Sequence, residues 1–563
     1  MAKKTTFLAA AAITLAISGA AIAQPTADTL SVQGTANRTT VIPDIEGQIK
    51  QQENAPVNQP THADDYKGTG IALPPIKTVT FNGPTILKQD DLNKIARPYL
   101  NRPITDNDIA SLKNAIADEY TKRGYPLVKV ATPTQDLQSG NLVINIYEGR
   151  VGQILANPNN VVPVYVPKGF GARLEGNVFD EKEAESVVND LNEINNTASS
   201  ITLKPGVEPL TTDLVINTQA GGNKDVNYIA GDDYGAKLTG KYVGSLHLEK
   251  TNALELGEKF SFDGRASNDN LYDVGGGIKI PIGIRNTFLE ASYLYSHNDI
   301  GQRLSFLNDS GETQILNVDI AGNIIDYDNS KLTLRGGMEA REARNDEDDS
   351  LANKDHIRRA YVEASYLGLA PQISSVMLAD AKISKGVGVL GASVAGDPKI
   401  SRAAADPEAV IFEPSLYLRH DFTPNDTITG YARGQISSNE LLSSDEFILG
   451  GYGSVRGFEP AEEVGDAGFS FSGEYQHKIR LLDADNLTLG VGPWIDGGHV
   501  YNRVPAQALD TALYSAGLGA EFAADIIPAG PTKLRLDWAH PLGTYTSSDV
   551  ADNTYYFRIQ QDF

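Results

Sequence analysis

The chain has 563 residues, no cysteine and a formal charge of −24. The missing cysteine excludes disulfide scaffolding, thiolate catalysis and cysteine-ligated zinc, and eight scattered histidines without H-E-x-x-H spacing offer no metal motif. The acid excess disfavours nucleic acid as a partner, and the length calls for several domains or one large barrel.

Lys3 and Lys4 precede an apolar run from Phe7 to Ile17 and then Ala21-Ile22-Ala23, which predicts a secretory signal over residues 1–23. Its removal leaves 46 basic against 72 acidic side chains, a charge of −26. Nowhere else do eighteen apolar residues run together, so a membrane location would require a closed barrel. Residues 24–73 are polar and read as linker; one short piece, Ile45 to Gln52 after Pro43-Asp44, could form a helix, though its composition favours linker.

From residue 74 to 151 a small β-α-α-β-β unit is expected. Ile76, Val79 and Phe81 mark its first strand, and a short helix through Leu92 and Ile95 stops at Pro98. A longer helix, capped by Thr105 and Asp108, carries Ile109, Leu112, Ile116 and Tyr120. Residues 127–130 and 142–146 are the paired strands. A second unit of the same kind is expected over 152–222, with extended pieces at 152–156 and 172–176, a helix from Asp180 to Ile194, and strands at 201–203 and 213–217.

Residues 225–563 carry alternating segments of about ten residues without a helical pattern; roughly sixteen strands, at about 21 residues per strand and connection, predict a membrane barrel. Connections around 345–355 and 391–406 read as long and polar, those near 281–285 and 328–330 as tight. Gly391 to Gly396 has one residue too many for a G-x-S-x-G nucleophile elbow and lacks strand-to-helix context, so no enzyme is expected. No phosphate-cradling motif or cofactor site is evident. The last strand alternates Tyr555, Phe557 and Ile559 and ends on Phe563, as a lipid-facing closing strand would.

Within this region Gly450-Gly451-Tyr452-Gly453-Ser454-Val455-Arg456-Gly457-Phe458 is a glycine-rich loop with one central arginine. Such a tip calls for a carboxylate, and Asp496, in Trp494-Ile495-Asp496-Gly497-Gly498, is the candidate. Five strands follow the loop.

Val455-Arg456-Gly457-Phe458, five strands before the C-terminal residue and preceded by two β-α-α-β-β units, resembles the two-partner secretion transporters of the hemolysin and filamentous hemagglutinin activator type, within the outer-membrane assembly-factor superfamily. The resemblance implies a plug helix near Ile45–Gln52, two periplasmic POTRA domains and a sixteen-stranded outer-membrane barrel. It implies that Val455, Arg456, Gly457 and Phe458 form the tip of a sixth extracellular loop folded into the lumen. Trp494, Asp496 and Gly498 match the strand motif that meets that arginine, with tryptophan in place of phenylalanine, and Gly473-Glu474 is a weaker lumenal match. The expected activity is ATP-independent export of a large, β-helical exoprotein by a monomer that sits in outer-membrane lipid and is inserted by the barrel assembly machinery. An assembly factor for other barrel proteins, or a passive porin, are the alternatives.

Overall fold

A computed structural model describes residues 66–563 apart from 193, 195–196, 222–224, 270, 285, 302–308, 328, 482–486, 504–510, 528–529 and 544–550. The expected signal and plug helix lie outside the described residues.

The first unit packs two helices, Gln89–Ala96 and Asp106–Lys122, on a three-stranded sheet. Thr78–Asn82 runs parallel to the central Asn141–Glu148, and Val128–Ala131 pairs antiparallel on its other side. Leu112, Ile116 and Tyr120 recur at helical spacing and are buried against Leu142, Ile144 and Ile146, which alternate along the central strand. Thr105 N donates to Asp108 Oδ2 at 2.7 Å, supplying a partner at the helix start, and Gly124 closes the helix with φ +92°. Residues 66–73, read as the end of the linker, run along this unit: Ala72–Leu73 pairs with Ile104–Thr105, and Asp106 Oδ2 accepts from the Thr69 hydroxyl at 2.6 Å. That hydroxyl, followed by the backbone N–H groups of Thr69 and Gly70, holds the Asp106 carboxyl down to about 2.

The second unit repeats the topology, with Arg150–Ala156 parallel to Thr211–Ala220 and Thr197–Pro205 antiparallel to it. Its first helix corrects the expectation for 172–176. Tyr165–Gly171 is α-helical and runs into a 3-10 turn, Ala172–Leu174, instead of extended chain. Pro167 and two glycines mask the pattern locally, but Val166, Phe170 and Leu174 fall four residues apart and all enter the core, so tertiary packing overrides propensity.

Sixteen antiparallel strands among the described residues close into a barrel, from Tyr228–Asp232 to Thr554–Asp562. The first and last pair over five residues, Tyr228↔Asp562 to Asp232↔Arg558, with Arg558 Nη1 2.8 Å from Asp232 Oδ2. Along the closing strand Tyr555, Phe557 and Ile559 face out, Tyr556 faces in, and Phe563 N donates to Asn227 O at 2.9 Å. No described helix is long and apolar enough to cross a membrane.

The connection expected near 345–355 is also corrected. Strands Ser330–Glu347 and Ser350–Ala370 continue through it and turn on Asp348 and Asp349, both with positive φ. There the buried inward positions Arg341, Asn345, Asn353 and Asp355 are polar like the outward ones, so the composition mimics a loop. The connection from 387 to 409 is long, and within it Ser393 Oγ accepts from His356 N in a run of turns with no strand-to-helix elbow.

The second unit is seated on one rim of the barrel. Phe288 joins its core, meeting Phe170 edge-on at 6.1 Å, and Asn252 Nδ2 donates to Val161 O at 2.8 Å. The opposite rim carries the 438–466 loop.

Candidate functional site

The 438–466 loop connects strands Asp426–Ser437 and Ala467–Arg480 and turns back into the lumen. A small ladder, Phe447–Leu449 against Glu463–Gly465, forms its neck. Beyond it Gly450 has φ +108°, and a Cβ there would lie 2.5 Å from Glu459 O, so only glycine lets the chain return on itself this tightly. Val455 and Phe458 are buried with Phe447, Leu449, Val500 and Leu513, which plants the tip against the barrel wall.

This leaves Arg456 aimed at strand Leu487–Tyr501. Its Nε donates to Asp496 Oδ2 at 2.7 Å and its Nη2 to Oδ1 at 2.8 Å, a bidentate pair, while its backbone N–H donates to Oδ2 at 3.1 Å. Trp494, Asp496 and Gly498 lie two apart and share the inner face of that strand. The Trp494 ring lies 3.6 Å from the guanidinium carbon, and a Cβ on Gly498 would meet Leu449 Cδ1 at 2.4 Å. Gly457 N donates to Tyr556 Oη at 2.9 Å.

Glu474 belongs to the same cluster, 3.5 Å from Arg456 Nη1 and bound by both terminal nitrogens of Arg535 at 2.8 and 3.0 Å. Gly473, beside it, makes no contact with the arginine; a Cβ there would approach only Ile495. Phe563 is far along the closing strand and outside the cluster.

Several members were not singled out from sequence. Asp537 accepts from Arg456 Nη1 at 3.3 Å, from Arg535 Nη2 at 2.6 Å and from the Tyr452 hydroxyl at 3.0 Å. Tyr452 stacks on Tyr234, centroids 3.6 Å apart, and Ser472 Oγ accepts from Arg456 Nη2 at 3.3 Å. The signal was present in Lys533-Leu534-Arg535-Leu536-Asp537-Trp538, where charge alternates with apolar side chains at the strand period. Two guanidiniums here face three carboxylates; Arg456, Asp496 and Asp537 are buried and Arg535 and Glu474 half-buried, so each charge depends on its partners.

A second clamp holds the loop stem. Asp445 sits between Arg341 Nη1, at 3.0 Å, and Arg359 Nη2, and Arg402 Nη1 reaches Asp466 at 2.6 Å and Glu446 at 3.0 Å. No group of three or more His, Asp or Glu suited to a metal occurs among the described residues.

The profile of the haemolysin secretion/activation protein family ShlB/FhaC/HecB matches residues 211–522, and that of the ShlB-type POTRA domain matches 74–149. The chain is 24% identical to the outer membrane transporter CdiB of Dickeya dadantii over 486 residues, covering 84% of each, and 20% identical over 520 residues to the heme/hemopexin transporter protein HuxB of Haemophilus influenzae, covering 85% of this chain and 86% of that one. In fold it resembles CdiB from Escherichia coli, with a TM-score of 0.72 at 19% identity over 92% of this chain and 95% of that one. CdiB from Acinetobacter baumannii gives 0.64 at 18%, over 92% and 96%.

Proposed function

The chain belongs to the haemolysin secretion/activation family of outer-membrane transporters, and from that premise we propose that its two periplasmic POTRA units receive one exoprotein and its barrel passes it to the cell surface. The observation that carries this reading is the inward loop, whose tip is held by Arg456 and Asp496 within a polar lumen. The ion pairs fasten the tip beside a small apolar cluster around Val455 and Phe458, and the charged lumen offers an extended client alternating polar contacts.

The edge strands of the sheets are Thr78–Asn82 and Val128–Ala131 in the first unit and Arg150–Ala156 and Thr197–Pro205 in the second, where residues 176–178 already cover Arg150 and Val151. Such edges pair with an extended client through backbone hydrogen bonds without reading much of its sequence. The client is large and β-helical, so folding outside rectifies its passage and no nucleotide is consumed. The transporter acts as a monomer, is inserted by the barrel assembly machinery and performs no catalysis itself.

Deleting the gene and profiling both the medium and the outer membrane tests the reading. Loss of one exoprotein, restored by the wild-type chain and not by Arg456→Ala, is expected. Broad loss of outer-membrane proteins would point instead to an assembly factor, and unchanged secretion with altered small-solute conductance to a porin.

A further inference from the structure

In the first POTRA unit the edge strand Val128–Ala131 is already in use. Val130 N donates to Tyr66 Oη at 3.0 Å, so an amide that faces away from the central strand Asn141–Glu148 meets the 66–73 strap. Asn114, on helix Asp106–Lys122, brackets the backbone of the same tyrosine: its Nδ2 donates to Tyr66 O at 3.2 Å and its Oδ1 accepts from Tyr66 N at 3.1 Å. The Lys113 ammonium stands 3.7 Å from the centroid of the Tyr66 ring. Farther along, the two Asp106 carboxyl oxygens accept from the backbone N–H groups of Thr69 at 2.7 Å and Gly70 at 2.6 Å, and Ala72–Leu73 adds its two-residue pairing with Ile104–Thr105.

These contacts hold the strap as a ligand is held. Side chains of the unit grip its main chain, and the buried residues of the core begin at Ile76; Tyr66 and Leu73 are only partly buried, and Ile71 is 63% exposed. Main-chain recognition of this kind tolerates many sequences. Three positions are read more closely. Residue 66 must carry a ring for Lys113 and a hydroxyl for Val130, and a Cβ on Gly68 would lie 2.4 Å from Asn107 N, a backbone atom. Gly70 has φ +86°, which favours glycine. A strand added along Val128–Ala131 would need the Val130 amide that Tyr66 holds, so the strap and an added strand exclude each other.

We propose that the cleft between helix Asp106–Lys122 and strand Val128–Ala131 is an exchangeable peptide site, kept filled by the chain's own strap until an extended segment of the exported client, of the form Tyr-x-Gly-x-Gly, takes the strap's place. Identifying the incoming segment with the client rests on the exporter reading; the exchange itself does not. A tethered strap competes at a high effective concentration, so stray peptides are kept out and a client already held at a second edge is admitted.

The test uses the full chain in detergent and, as probe, a fluorescent peptide of the strap's own sequence, Tyr-Lys-Gly-Thr-Gly-Ile-Ala-Leu. Gly68→Val should expel the strap and leave the cleft intact, so that this chain binds the peptide about tenfold more tightly than wild type or better. In the same background Asn114→Ala should weaken the peptide roughly tenfold, and a peptide with alanine in place of its tyrosine should bind no better than a scrambled one. Faster amide exchange at Val130 with unchanged exchange in Asn141–Glu148 would show a released strap on a folded unit. Should the valine disturb the unit itself, Tyr66→Ala/Thr69→Ala replaces it, with the same peptide and the same expectation. Equal binding by wild type and the released chain, binding that ignores Asn114→Ala, or full binding of the alanine peptide would each overturn the proposal. The readout involves no export, so loss or retention of secretion is decided separately.

Discussion

The guanidinium carbon of Arg456 lies 3.6 Å from the centroid of the Trp494 ring, on the strand whose Asp496 grips the same guanidinium two residues later. One inner strand face thus supplies both a planar platform and a bidentate acceptor. An ammonium has neither the plane nor the fork to use them together.

Arg456→Lys is therefore expected to dock the loop little better than Arg456→Ala, despite keeping the charge. Trp494→Phe should stay close to wild type, and Trp494→Ala should weaken docking by about 1–2 kcal/mol through loss of the cation–π contact. Limited proteolysis within 450–460 reads docking, and secreted client per folded barrel reads function. Full activity of Arg456→Lys would show that charge alone suffices.

Both partners of the pair are buried, so removing one strands the other. Arg456→Ala and Asp496→Ala should each destabilise the closed loop by about 3–5 kcal/mol, and the double variant should cost less than the sum, with a coupling of at least about 1 kcal/mol. Thermal unfolding of the four proteins in one detergent provides the cycle. Additive losses would mean that Asp537 and Glu474, both beside Arg456, carry its charge without Asp496.

What could be read from sequence follows from the range of the forces involved. Period-two alternation and helix caps are local, so Thr105 with Asp108, the inward Trp494-x-Asp496-x-Gly498 face and the closing strand were legible. Asp537, Arg535 and Tyr452 meet Arg456 only because the barrel closes, and nothing near them in sequence states which inward positions face one another. The helix at 165–171 was hidden by Pro167 and its glycines, whose propensity yields to the burial of Phe170. The strand ends around Asp348 read as a loop because their buried inward positions, Arg341, Asn345, Asn353 and Asp355, are as polar as the outward ones, so composition shows no apolar alternation.

The stem clamp yields a different expectation from the tip. Asp445→Ala would leave Arg341 and Arg359 facing each other with Glu339 alone beside Arg341 at 2.6 Å, so the stem should loosen while the Arg456 pair persists. Single-channel recordings should show more frequent openings for Asp445→Ala than for wild type, and proteolysis should shift to residues 438–446 and spare 450–460. A conductance trace indistinguishable from wild type would assign Asp445 to barrel stability only.

The strap at 66–73 gives a pH prediction. The Asp106 carboxyl is depressed to about 2 by Thr69 and Gly70, below its unfolded value of about 3.9, so its contribution is present above that unfolded value and is lost as pH falls through about 2. Amide exchange at Thr69 and Gly70 should rise in that acid window in wild type and already be raised at pH 5 in Asp106→Asn. No difference between the two at pH 5 would mean that the Ala72–Leu73 pairing holds the strap unaided.

The seat of the second POTRA unit is a close backbone-to-backbone contact. A Cβ placed on Gly169 would lie 1.7 Å from Gly283 O, a backbone atom of a tight barrel connection that cannot swing away. Gly169→Ala should therefore push the Tyr165–Gly171 helix off the rim at a cost of about 1–3 kcal/mol, and Gly169→Val should separate the two bodies. Since Phe170 meets Phe288 through the same seat, client captured in the periplasm would no longer be presented to the lumen, and secretion should fall although the barrel remains closed and the unit keeps its own core. Hydrogen exchange in residues 252–258 and 281–284 should rise in proportion to the loss. The comparison is Gly430→Ala, whose added Cβ would meet nothing within 4 Å and which should secrete normally. Undiminished secretion by Gly169→Val would mean that handover tolerates an unseated unit.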